Sequence, residues 1–386
     1  MDGARQRPLA LALACLTATA CLLILEGGVR FDDWLESRNP RAVPQDLPLL
    51  QENPAGTGSY RLRPNLDFET RVGTRRIRIK TNSHGMHWRE TSLKATPGRP
   101  RVAFLGDSFT FGSWATDSAH SLVGAFESSL PSGQFEALNF GVGGYGLVDE
   151  ELLLKEFALQ FDPSYVIVVS YMGNDFRDTW LGLNRETIVN GTARLDLDNL
   201  AARVPAAYRM PDDRIPLPCP DAAWRRIASH SAAFRRLSPL LDLESLCVIF
   251  RPNMSFLQPA FWSRLPAPDV ALKAKDAVLE SLARMKALSA EHQVRLAMVA
   301  LPTAAQVYAQ QPSAANFDTA LPQAYLQRFC RDEKIPYLDL LPPLRRQAAA
   351  SNRRMYLKAD IHLNDFGHAK VGALIAEWFD STVRAR

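Results

Sequence analysis

Residues 101–112 read RVAFLGDSFTFG. Val102 to Leu105 are a short apolar run, the pattern of a strand buried on both faces. Gly106-Asp107-Ser108 then turns the chain, and Gly112 closes a loop that leads into a helical pattern. A serine hydroxyl is thereby set at the carboxyl end of a parallel strand, where open α/β sheets carry their reactive groups. Gly106 allows the turn because it has no Cβ to clash. Gly, Asp and Ser all favour turns, so the tripeptide alone marks only a strand-to-helix turn. Its weight comes from the segments around it.

Downstream, residues 119–130 have helical spacing and residues 135–140 read as a second strand. That strand runs into Asn139-Phe140-Gly141-Val142-Gly143-Gly144-Tyr145-Gly146. So many glycines require close backbone approach or positive φ. Gly141, Gly143 and Gly146 spell GxGxxG, but this is the second strand of the series and no acidic residue ends a strand at the dinucleotide-binding distance. An amphipathic helix is expected over 149–161, then the very apolar strand 165–170, YVIVVS. It ends in Tyr171-Met172-Gly173-Asn174-Asp175, with Asn174 again at a strand's carboxyl end. Residues 176–266 lack a clear period and read as an insertion, with one hairpin-like piece at 187–197 around Asn190-Gly191. Helical spacing returns at 269–291, with Ala274, Val278, Leu282, Met285 and Leu288 on one face. Strand 294–301, helix 323–330, strand 337–340, a loop with Asp360-Ile361-His362-Leu363-Asn364 and helix 366–379 follow. Strands alternating with helices imply a parallel sheet covered on both faces.

Upstream, Arg76-Ile77-Arg78-Ile79-Lys80 alternates with the period of a half-buried strand, and Asn82-Ser83-His84-Gly85 reads as a turn. Residues 59–100 are therefore expected to form a small β module. Its arginines suit a solvated edge strand better than a binding face. His84 and His87 have no third ligand nearby, so a turn is expected rather than a metal site. Pro40, Pro44, Pro48 and Pro54 keep residues 27–58 extended, as a tether. Residues 8–25 are almost unbroken in apolar character and follow Arg5 and Arg7. This is the pattern of a signal peptide or an uncleaved signal anchor, and the anchor, over residues 1–26, is the expectation. The basic flank would keep the N-terminus cytoplasmic and send the remainder across the inner membrane to the periplasm.

The chain has 386 residues, 47% hydrophobic, enough for one large domain with additions. Net charge of +4 argues neither for nor against nucleic acid, and none is expected as a partner. Five cysteines include no CxxC, so no zinc pattern is present; Cys219 and Cys247 could pair in an oxidising compartment.

Ser108, Gly144, Asn174 and His362 occur in that order at or beyond strand ends. Acyl transfer needs a nucleophile, a base, an acid that orients the base, and donors where the oxyanion forms. Ser108 is the candidate nucleophile and His362 the base. The backbone N–H groups of Ser108 and Gly144 and the Asn174 amide are the candidate oxyanion donors. This ordered set resembles the SGNH/GDSL hydrolase superfamily: Gly106-Asp107-Ser108 matches its first block, Asn139 to Gly144 the second, Asn174-Asp175 the third, and Asp360 to His362 the last. More narrowly, the chain is similar to bacterial membrane-anchored members that carry an Asn-Ser-x-Gly segment before the core, here Asn82 to Gly85. The resemblance covers most of the chain except 176–266. It implies a flavodoxin-like three-layer α/β/α core with a parallel five-stranded sheet in a domain spanning 101–386. It also implies ester chemistry without metal or cofactor, on an acyl ester that includes O-acetylated glycans as candidates.

Two departures stand out. The family's last block is Asp-x-x-His, yet Ala359 stands three before His362 and Asp360 two before. The third block usually has glycine two before its Asn, where this chain has Met172. A Ser108-His362-Asp360 triad is the expectation; the alternative is a Ser-His dyad in which Asp360 only caps its loop. Alginate acetyltransferases resemble this chain in topology but place Asp and His before the serine. The order here favours a hydrolase over an O-acyltransferase of an envelope glycan. A catalytically dead glycan-binding domain is the third reading, and four filled blocks argue against it.

Overall fold

The apolar runs pair with one another. Strands β1 (Arg101–Gly106), β2 (Glu136–Asn139), β3 (Tyr165–Tyr171), β4 (Arg295–Leu301) and β5 (Tyr337–Asp339) form one sheet in the order β2-β1-β3-β4-β5, with every pairing parallel. That is the flavodoxin-like order, in which the strand order reverses between β1 and β3 and opens a crevice at their carboxyl ends. The coordinates are a computed structural model and describe residues 17–28, 30–31, 49–54, 59–72, 75–183, 188–189, 192–193, 214–218, 231, 248–252, 266–308, 318–357 and 360–384.

Val102 to Leu105, Val166 to Val169 and Ala297 to Leu301 are wholly buried. Each large apolar side chain so placed contributes roughly 1.5–3 kcal/mol. Helices α1 (Leu122–Ser129), α2 (Leu147–Glu156), α3 (Asp175–Leu183), α4 (Asp269–Glu291), α5 (Leu321–Asp332), α6 (Leu341–Ala350) and α7 (Asp365–Trp378) surround the sheet. Helix α7 packs on α1, and α4 packs on α2 and α3, giving the two outer layers. The face expected on α4 is the buried one: Ala274, Val278, Leu282 and Met285 are in the core. Arg101 is buried in β1, but it donates to Glu136 at 2.7 Å and to the carbonyls of Leu93 and Phe161 at 2.8 and 2.7 Å. A charge buried there is tolerable only with such partners.

Some elements differ from expectation. The helix expected over 149–161 stops at Glu156, and a 3₁₀ turn, Ala158–Phe161, follows. Phe157 and Phe161 turn in to meet Phe140, with all three ring centroids within 5.5 Å of one another, and aromatic packing overrides helix continuation. The periodless segment 176–266 in fact begins inside a helix, α3, whose inner face includes the buried Asp175, Asp178 and Thr179. Polar residues on the inward side hid its period. Helix α6 gives no helical signal in the sequence because Pro342 and Pro343 look like breakers, yet proline is accepted in a first turn. Ile188–Val189 pairs antiparallel with Thr192–Ala193, bracketing Asn190-Gly191 as expected of a hairpin.

Leu50–Glu52, read as the end of the tether, is instead a strand paired antiparallel with Tyr60–Leu62. Asp67–Val72 and Arg75–Lys80 are strands, and Arg78 holds Asp67 at 2.9 and 2.7 Å. The Asn82-Ser83-His84-Gly85 turn is closed by the Asn82 carboxamide oxygen, which accepts from the N–H groups of His84 and Met86 at 3.0 and 2.9 Å. His84 and His87 serve packing: His84 meets Phe161 edge-on, and buried His87 stacks on Phe111.

The chain divides into two units. One comprises residues 46–67, 77–213 and 253–386 and contains the sheet. The other comprises residues 1–45, 68–76 and 214–252, so the expected insertion contributes to both. In this second unit Arg214–Pro218 pairs antiparallel with Val248–Pro252, and residues 17–28 are helical, with Leu22, Leu23 and Ile24 exposed. Among the described residues no helix is long and apolar enough to cross a membrane. Residues 8–16 of the expected anchor, residues 32–48 of the expected tether, and Cys219 and Cys247 lie outside the described residues.

Candidate active site

Ser108 opens a four-residue helical turn, Ser108–Phe111, directly after β1. The Asp107 carboxylate caps this turn by accepting from the Phe109 N–H at 2.8 Å. Gly106 is required by close approach: a Cβ there would lie 2.2 Å from the Thr110 hydroxyl oxygen and 2.9 Å from the Val169 carbonyl oxygen. The turn is therefore pressed onto β3, and Ser108 is its one residue left partly open to solvent.

His362 comes from the loop before α7. Its backbone carbonyl accepts from the Leu357 N–H at 3.0 Å, and the Asn364 side chain caps α7 through the Gly367 N–H at 2.9 Å. The ring rests on Phe109, with centroids 4.8 Å apart. His362 Nε2 lies 2.7 Å from Ser108 Oγ, and Nδ1 lies 2.5 Å from Asp360 Oδ1. With Nδ1–H donated to Asp360, Nε2 is left to accept the Ser108 hydroxyl proton. Asp360 also accepts the His362 backbone N–H at 2.8 Å, so the one carboxylate caps its loop and orients the ring.

Two aspartates bracket this chain of bonds and titrate in opposite directions. Burial pushes Asp107 up to about 7, against the Phe109 N–H and the His362 charge, which pull it down. Burial also raises Asp360, but the His362 ring and backbone N–H groups, the His362 charge and the Trp114 indole N–H outweigh it. The Asp360 carboxyl ends below its ordinary range and is anionic at neutral pH.

The glycine loop lies against the serine. A Cβ on Gly143 would sit 3.8 Å from Ser108 Cβ. Gly144 has φ +80° and leaves its neighbour Tyr60 room: the Tyr60 hydroxyl donates to the Gly143 carbonyl at 2.9 Å. Among the described residues, no acceptor takes the backbone N–H of Ser108 or Gly144. Asn174 stands in the turn between β3 and α3. Its amide donates to Asp178 at 2.6 Å, and Asp178 also accepts from the Arg177 guanidinium at 2.8 Å. The structure thus joins Ser108, His362 and Asp360 by hydrogen bonds and sets the Gly143-Gly144 loop beside Ser108. Asn174 is bonded to Asp178 instead. Tyr60, Trp114 and Asp178 were missed by the sequence reading, since nothing in their local patterns marks them. Among the described residues no group of three or more His, Cys, Asp or Glu side chains is arranged to hold a metal ion.

Residues 262–384 match the family model described as SGNH hydrolase-like domain, acetyltransferase AlgX. That stretch of the chain is similar to an SGNH hydrolase-like domain. The match includes Asp360 and His362 and begins after Ser108. No curated protein matches the chain. Among solved structures, a putative acylhydrolase from Bacteroides fragilis is 13% identical, with 75% of this chain and 90% of that chain covered and a TM-score of 0.37. A two-domain esterase active on acetylated mannans is 15% identical, with 73% and 49% covered and a TM-score of 0.36. A lipase/acylhydrolase from Enterococcus faecalis is 12% identical, with 73% and 96% covered and a TM-score of 0.37.

Proposed function

We propose that this SGNH hydrolase-like protein is a serine esterase that cleaves carboxylic, O-acyl esters through an acyl-enzyme. The hydrogen-bonded run Ser108–His362–Asp360 carries this reading. Ser108 Oγ adds to the ester carbonyl carbon while its proton passes to His362 Nε2, and Asp360 holds Nδ1–H and stabilises the imidazolium. The oxyanion is received by the N–H groups of Ser108 and Gly144 and by the second N–H of the Asn174 amide, the first being held by Asp178, each worth about 3–4 kcal/mol of barrier. His362 then gives its proton to the departing alkoxide, and the acyl group stays on Ser108. Water attacks this ester with His362 as base, releasing the carboxylic acid and regenerating the serine.

A second reading, O-acyl transfer, is favoured by the acetyltransferase description of the matching family model. The chemistry is shared until the last step, where a glycan hydroxyl replaces water. An O-acetylated glycan of the cell envelope suits either reading, because residues 8–25 would hold the domain at the outer face of the inner membrane.

The test assays a panel of acyl esters and O-acetylated glycans with the full-length protein in the membrane fraction, with and without a glycan acceptor. Wild type is expected to hydrolyse a p-nitrophenyl acyl ester and to be labelled at Ser108 by a fluorophosphonate. Ser108→Ala is expected to lose both, by about 10⁶-fold in kcat. Retained activity in Ser108→Ala ends the nucleophile assignment, and activity confined to a cytosolic fraction ends the topology.

A further inference from the structure

Trp114 sits three residues beyond the helical turn that presents Ser108, in a backbone conformation an aromatic residue rarely adopts. Its φ is +68°, in the left-handed region where a Cβ is strained. Such conformations persist only where surrounding contacts over-determine them, and they gather at functional sites. The contacts here are specific. On one side, the Ser113 carbonyl accepts from His368 Nε2 at 3.3 Å. On the other, the Thr116 N–H and hydroxyl both donate to the Asp365 carboxylate, at 2.9 and 2.8 Å. Residues 113–116 are thus fastened to the first turn of α7, and Trp114, between the fastenings, is aimed back at the histidine loop. Its Nε1 lies 3.1 Å from His362 Nδ1, and Asp360 Oδ1 lies 2.5 Å from that same nitrogen; with Nδ1–H donated to Asp360, the carboxylate is the acceptor left for the indole N–H.

This answers the missing residue in the last block. An aspartate two before its histidine bonds the histidine's own backbone N–H, a local Asx-type turn. In such a turn the carboxylate is anchored on one side only and can rotate away from the ring. We infer that Trp114 is a positioning residue, whose indole N–H locks Asp360 against His362 so that Asp-x-His does the work of Asp-x-x-His. The inference rests on the reading of Ser108, His362 and Asp360 as the reacting set. An indole that merely filled space would have no reason to turn its one donor towards the Asp360–His362 pair. Asp107, beneath the serine turn, is a second titratable group that acts on the His362 ring.

The experiment uses the full-length protein and three variants: Trp114→Phe, Asp360→Asn and the double variant. Trp114→Phe keeps an aromatic side chain and removes the donor. In it, the carboxylate is free to rotate away from the ring and stabilises the imidazolium less, so the His362 titration followed by NMR is expected to move to lower pH. The rising limb of the activity profile should move with it, and kcat should fall by up to about 100-fold with KM held, the scale of a small misplacement of a catalytic group. On an Asp360→Asn background the same substitution should cost nothing further, because both act through one bond. An unmoved His362 titration in Trp114→Phe, or losses that multiply in the double variant, overturns the inference. If Trp114→Phe does not fold, Trp114→Gly, which relieves the positive φ, is read by the same titration. The titration does not depend on turnover. A moved titration in a protein that hydrolyses no ester would leave the Trp114 assignment standing and remove the esterase reading, whereas an active enzyme with an unmoved titration would do the reverse.

Discussion

The serine turn and the histidine loop each carry an aspartate, and the two are held by opposite means. Asp107 is wholly buried behind β1, among carboxylates that burial also drives upward: Glu150, Asp175 and Asp178. Asp360 is partly exposed and surrounded by donors from its own loop and from Trp114. Depth in the fold, and the number of N–H groups within reach, decide which carboxyl can stay anionic beside a histidine. The serine turn is built by backbone packing onto β3. The histidine loop is built by side-chain hydrogen bonds from distant segments. The first should fail mainly by overpacking, the second by loss of a single donor or acceptor.

The sharpest way to break this contrast is at Asp360. Asp360→Asn is expected to lower kcat by about 10⁴-fold, because the amide cannot hold the same tautomer or stabilise the imidazolium. Near-wild-type kcat and an unchanged pH profile, with His362→Ala inactive, would make the enzyme a dyad. A smaller effect is expected on the strand side. Asn174→Ala should lower kcat by about 10²–10³-fold with KM held, since Arg177 still holds Asp178. If KM alone rises, Asn174 binds substrate uniformly and is no oxyanion donor.

The smallest effect is on stability, and it isolates the buried aspartate. The Asp107 carboxyl is raised from 3.8 to about 7, so the folded state holds that proton more tightly than the unfolded state does. Its stabilisation is complete below the unfolded value and is lost as pH rises through about 7. Thermal unfolding of wild type should therefore occur at lower temperature as pH is raised across that window. Asp107→Asn should flatten this slope, and an unchanged slope would show that Asp107 is not the group responsible.

The elements that were legible from sequence share one property: their signal is local. The four-residue apolar run before Gly106 and the alternation at 76–80 are periods read along the chain, as is the stripe on α4. Those that were missed have signals cancelled by distant partners. Helix α3 hides its period because its inner face bears Asp175 and Asp178, which only the packed interior makes tolerable. The helix expected to reach 161 stops at Glu156 because Phe157 and Phe161 are claimed by Phe140 on another strand.

The candidate site divides along the same line. Strand-end placement of Ser108, the glycine loop, Asn174 and the Asp360-x-His362 pair follow from residue type and order, since strand, turn and helix periods set where side chains emerge. That Asp360 is both loop cap and partner of the ring was decided only in three dimensions. So were the Tyr60 contact with the glycine loop and the aim of Trp114 at the histidine loop. Each joins segments far apart in the chain, through hydrogen bonds whose lengths depend on the packing of the sheet and α7. A linear pattern carries periods; it carries no distances between residues whose separation the fold alone determines.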